Sequence, residues 1–89
     1  MTYLTSNNES AIVAAEAKIS LNCGLVNAYG TTSWDNPPRK AVNENLWFIT
    51  KPPVNGWGNV EQFTQAQMMS GVNMTDIIEQ ERNDNWFEV

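Results

Sequence analysis

The stretch from Ser6 to Gly24 is the longest piece of the chain with one conformational preference, and the rest of the fold has to be built around it. Ser6-Asn7-Asn8-Glu9 has the spacing of a capping box, in which the Ser hydroxyl accepts from the third helical amide and the Glu side chain reaches back. No Pro or Gly interrupts the run that follows, and Gly24 stands where a left-handed residue closes a helix. The pattern predicts a helix from this cap through Asn22. At about 100° per residue, Ile12, Ala15, Ile19 and Cys23 form one apolar stripe. Val13, Ala14, Ala17 and Leu21 form a second on nearly the opposite side. A helix lying on a sheet needs one stripe. The second has two readings: another subunit covers it, or the alanines sit in water without cost and only Val13 and Leu21 need shelter.

A helix with a buried stripe needs a partner layer, and the best strand is Leu46-Trp47-Phe48-Ile49-Thr50. It is rich in β-formers and bounded by Asn43-Glu44-Asn45 and Pro52-Pro53. Apolar residues on both of its faces predict cover on both sides. Arg39 to Val42 reads as a short edge strand after the breakers Asn36-Pro37-Pro38, and Trp86 to Val89 as a closing strand able to pair with the first. Leu25 to Tyr29 reads as a short strand or an irregular connection. Thr64 to Gln67 repeats the capping pattern and predicts a short helix ended by Gly71. Thr75-Asp76 predicts another through about Arg82, stopped by Asn83-Asp84-Asn85. The expected fold is therefore one α+β domain over residues 1–89: an N-terminal amphipathic helix on a small antiparallel sheet, with two short C-terminal helices. At 89 residues the core is modest, and any large extra apolar surface calls for a partner.

The residues offer little equipment for catalysis. There is no His, so the commonest general base and metal ligand is missing, and one Cys cannot make a usual zinc site or an internal disulfide. No phosphate-cradling Gly-rich loop is present. Cys23, at a helix C-terminus, lacks an activating neighbour and reads as core. Asp76 and Glu79, one turn apart on the expected third helix, are the remaining acid pair, and a solvated acidic face accounts for them more simply. The expectation is a protein that is not an enzyme, with no cofactor and no metal.

Charge narrows the partners. The net charge is −5, and all of it lies in residues 52–89, where Arg82 faces six carboxylates. Five basic residues scattered along the chain do not make a phosphate-backbone footprint, so direct nucleic-acid binding is not expected. Arg39, Lys40 and Lys51, with Trp34 and Trp47, make at most a small anion patch. The longest apolar run, Ala11 to Ala15, cannot span a membrane, and Met1 to Ser6 lacks the features of a signal peptide. A cytoplasmic location is expected, or a virion if the chain is phage-encoded. Asn8-Glu9-Ser10 and Asn73-Met74-Thr75 match the glycosylation sequon, by chance on this reading.

Twelve Asn, four Trp and only three Lys are closer to interface chemistry than to a freely solvated surface. Gly56-Trp57-Gly58, next to Val54 and an Asn-Gly turn, places a large rigid aromatic on a loop tip. Trp57 either meets a partner there or folds back to plug its own core. The leading expectation is a structural or interaction protein, a subunit or accessory protein of a larger assembly of phage-virion type. It would bind a protein partner or itself through Trp57, Val54 and Trp34 and through Val13, Ala17 and Leu21 of the helix. The alternatives are an acidic inhibitor of a nucleic-acid-binding complex, of anti-defence type, and a small carbohydrate- or ligand-binding module; a small-molecule ligand is the less expected partner.

Overall fold

The computed structural model describes residues 1–23, 36–52 and 64–89. Along the chain come β1 (Thr2–Ser6), α1 (Glu9–Asn22), β2 (Arg39–Lys40), β3 (Trp47–Thr50), α2 (Gln65–Met68), β4 (Ile78–Glu81) and a single 3-10 turn (Trp86–Glu88). The strands form an antiparallel sheet in the order β2-β3-β1-β4. The fold is a small α+β fold, as the sequence led us to expect, but the sheet is assembled differently.

Its centre is a strand that the sequence reading did not identify. Thr2-Tyr3-Leu4-Thr5-Ser6 pairs with β3 on one side (Tyr3 with Thr50, Ser6 with Trp47) and with β4 on the other (Thr2 with Glu81, Thr5 with Ile78). Asn8 is itself extended (φ −106°, ψ 106°), so the helix cannot begin at Asn7 and Ser6 is not its cap. The Ser6 hydroxyl accepts from the Asn8 amide at 3.0 Å, and Asn8 becomes the cap by accepting from the Ser10 amide at 3.1 Å. The helix consequently opens at Glu9, and it runs to Asn22 as expected.

Alternation along β1 gives the sheet two buried faces. Leu4 and Ile49 meet Ile12, Ala15 and Ile19 of α1 and Cys23 at its C-cap, together with Met68 and Ile77. The inner helical stripe is thus the one read from the sequence. Each fully buried Leu or Ile in it is worth roughly 1.5–3 kcal/mol. On the other face Tyr3 and Phe48 pack against Trp86, Phe87 and Ala41. Tyr3 and Phe48 meet edge-on at 5.9 Å, and Phe48 stacks on Phe87 at 4.7 Å.

That aromatic layer explains why the C-terminus is not the strand expected from Trp86-Phe87-Glu88-Val89. Successive side chains of a strand point to opposite faces. Here Trp86 and Phe87 both reach the same face, and a 3-10 turn is the local geometry that allows it. The same turn aims the Phe87 carbonyl at the Val42 amide, 2.9 Å away, beyond the end of β2.

The segment from Thr75 also departs from expectation. It makes a turn at Thr75–Asp76 and then runs as β4 rather than as a third helix. Ile-Glu-Gln-Glu has good helix formers, but propensity is a weak prior against a complete ladder. β4 gains that ladder from β1, plus the Thr5 hydroxyl donating to the Ile78 carbonyl at 2.9 Å and Gln80 Nε2 donating to Thr5 Oγ1 at 2.9 Å.

Of the two C-terminal helices expected, α2 is present. Thr64 and Gln67 close both arms of its capping box, at 2.8 and 3.1 Å, and Gly71 takes a left-handed φ of 74° just beyond it. Asn22, the last residue of α1, donates to the carbonyls of Met68 and Ser70 at 2.9 and 2.8 Å, which ties the two helices end to end. The readings made for Gly24, Leu25 to Tyr29 and the Gly56-Trp57-Gly58 loop fall outside the described residues.

Candidate interaction surface

With the inner stripe of α1 committed to the sheet, the outer stripe is left in solvent. Val13 is 46% exposed and Leu21 60%, and Ala14 and Ala17 are exposed between them. Val13, Ala17 and Leu21 lie at successive i, i+4, i+8 positions, so they form one row along the helix. A small residue flanked by two larger ones lets a second helix or a loop approach the backbone closely at Ala17 and pack sideways on Val13 and Leu21. Of the other residues singled out from the sequence, Trp34, Val54 and Trp57 lie outside the described residues.

A cleft of about 460 Å³ runs beside this row, between the first half of α1 and the 71–76 turn. Asn8, Ser10, Lys18, Asn73 and Asp76 supply its polar wall, and Ala14 lines it from the exposed row. Gly71 permits the close approach on the far side: a Cβ there would stand 2.7 Å from Lys18 Cε. Sequence reasoning missed this cleft, because its two walls lie more than fifty residues apart.

The described residues do not converge on a catalytic arrangement. Asp76 sits in a turn and Glu79 on β4, where it is ion-paired with Lys51, so the two are not the one-turn helical pair considered above. Burial pushes the Cys23 thiol up, away from the nucleophilic thiolate. Burial, and then the Asp84 carboxylate, also raise the Tyr3 hydroxyl, which donates to the Asp84 carbonyl at 3.4 Å. Among the described residues no group of three or more Cys, Asp or Glu stands together to hold a metal ion. None of their helices is long and apolar enough to cross a membrane.

The basic residues do not gather either. Arg39 lies over Phe48 and Phe87, at 5.1 and 4.7 Å from their ring centres, on the aromatic face. Lys51 is paired with Glu79 on the helix side of the sheet. The anion patch considered from the sequence is therefore split between two faces.

Compared with family models, curated proteins and solved structures, the chain has no match in any of the three.

Proposed function

We propose that the chain is a non-enzymatic interaction protein, a subunit or accessory protein that docks through the outer face of α1. The observation that carries this reading is the row Val13, Ala17 and Leu21, exposed on a helix whose other side already supplies the core. In a domain of this size, the surface that Val13 and Leu21 leave in solvent gains hydrophobic free energy only when a partner covers it. The partner is a second protein or a second copy of the chain.

The test is a pair of solution measurements on the intact chain and on the variant Val13→Asp/Leu21→Asp. Association with itself or with a purified partner, followed by light scattering or sedimentation, is lost in the variant, while its melting temperature stays within a few degrees of the original. A variant that associates as before removes the helix face from the reading.

A further inference from the structure

We infer that the outer edge of β4 is a docking site for an extended, lysine- or arginine-bearing segment of another protein, added to the sheet as a further strand. This goes beyond the helix face and rests on separate observations.

Among the described residues the sheet ends in two edges, β2 and β4, and they are finished differently. β2 is only two residues long, follows Pro37-Pro38, and has the Phe87 carbonyl bonded to the Val42 amide beyond its end. Short length, proline and a covering segment are the usual devices that stop an edge from pairing. β4 has four residues and no proline, no described segment covers its outer side, and its residues are exposed apart from the half-buried Gln80.

The register shows which backbone groups are unused. Met1 and Arg82 exchange amide and carbonyl bonds, at 3.2 and 3.1 Å, which marks them as a hydrogen-bonded pair. With antiparallel alternation, Ile78 and Gln80 then also face β1, and Glu79 and Glu81 turn their N–H and C=O groups outward. No described residue meets those groups. Two outward residues offer up to four main-chain hydrogen bonds to an incoming strand, the arrangement used in β-strand addition.

Charge decides the occupant. Glu79 and Glu81 are neighbours on one face of β4, and residues 64–89 hold five carboxylates against Arg82 alone. Antiparallel pairing of β4 with a second copy sets these carboxylates opposite one another, and like charges directly across a ladder are destabilising. A strand with Lys or Arg at alternate positions places a cation opposite each. Lys51 pairs with Glu79, and the Met1 amine and Thr2 hydroxyl with Glu81, from the inner side, while both side chains remain exposed to an incoming cation. Ile78, 64% exposed on the opposite face at the end of the strand, supplies an apolar contact for the segment's other side.

The experiment uses the whole chain, isotope-labelled for NMR, and two end-blocked hexapeptides, Thr-Lys-Thr-Lys-Thr-Lys and the same peptide with Glu in place of Lys. The lysine peptide shifts the Glu79 and Glu81 amides and slows their hydrogen exchange, and it binds at least about tenfold tighter than the glutamate peptide. Glu79→Pro removes an outward N–H, leaves the bonds to β1 in place, and abolishes the response. Should that variant not fold, Glu79→Lys/Glu81→Lys reverses the preference toward the glutamate peptide. The variant Val13→Asp/Leu21→Asp binds the lysine peptide like the original, so failure of the helix-face reading and failure of this one are told apart. Silent Glu79 and Glu81 amides, equal binding of the two peptides, an unreversed preference, or β4 occupied by a second copy each overturn the proposal.

Discussion

The side chain of Asn36 stands in for a strand residue opposite Thr50: its amide donates to the Thr50 carbonyl at 2.7 Å, and its oxygen accepts from the Thr50 N–H at 3.0 Å. The ladder between β2 and β3 would place Pro37 at that position, and proline has no N–H to give. The buried Asn36 carries the edge of β3 one rung further than the backbone can. Asn36→Ala leaves both Thr50 groups without their partner. With a net loss of about 0.5–1.5 kcal/mol per bond, plus the desolvation penalty for any group left dry, a total cost of about 2–3 kcal/mol is expected in urea unfolding. A loss below about 0.5 kcal/mol would mean that water replaces the amide at no cost.

Gly71 and Lys18 form a second local constraint. The positive φ of Gly71 disfavours any side chain, and an added Cβ would collide with Lys18 Cε. Gly71→Ala is expected to cost about 1–2 kcal/mol, most of it from the left-handed backbone. The collision is with the far end of a flexible chain, so it should be relieved in the double variant with Lys18→Ala. A double-mutant cycle by thermal or urea unfolding measures that coupling, and perfect additivity would show that Lys18 moves aside freely.

The tie between Met1 and Glu81 makes a statement about pH. The Met1 α-amine bonds to the Glu81 carboxylate, which also accepts from the Thr2 hydroxyl at 2.6 Å. The hydrogen bond to the amine, then that to Thr2, holds the Glu81 carboxyl below its ordinary value, and the same carboxylate raises the amine. A lowered carboxyl pKa contributes above its unfolded value, about 4.3, and is lost as pH falls through the folded one. A raised amine pKa contributes below its unfolded value, about 8, and is lost as pH rises through the folded one. The tie is therefore closed from weakly acidic to mildly alkaline pH. An NMR titration should give a Glu81 midpoint below that of a model peptide, moving upward when the amine is acetylated. A midpoint unmoved by acetylation would show that the amine is not its partner.

Local signals were readable where they decided the structure locally. α1 through Asn22 with its buried stripe, β3, the Thr64–Gln67 cap and the edge strand at Arg39–Lys40 all follow from spacing, β-propensity and breakers. The misreadings of strands share a cause: long-range pairing overrode a local preference. Thr2 to Ser6 alternates faces, but its status as the central strand depends on partners more than forty and more than seventy residues away. Ser6 has the right spacing for a cap, but the chain stays extended through Asn8, which caps the helix instead. Ile78 to Glu81 favours a helix until β1 is available, and Trp86-Phe87 favours a strand until both rings are needed on one face. Of the candidate site, Val13, Ala17 and Leu21 were legible because helical periodicity separates an inner stripe from an outer one. The β4 edge was not, because it exists only once the strand order is known.

The outer face of α1 is the contact surface we propose for this chain. The most direct measurement replaces Ala17 with a photo-crosslinking amino acid in the protein produced in its native setting. Gln67, exposed on α2, serves as the control position. One discrete covalent adduct is expected from position 17, absent from position 67 and lost when Val13→Asp/Leu21→Asp is introduced. No adduct from position 17, or the same adducts from both positions, would contradict it.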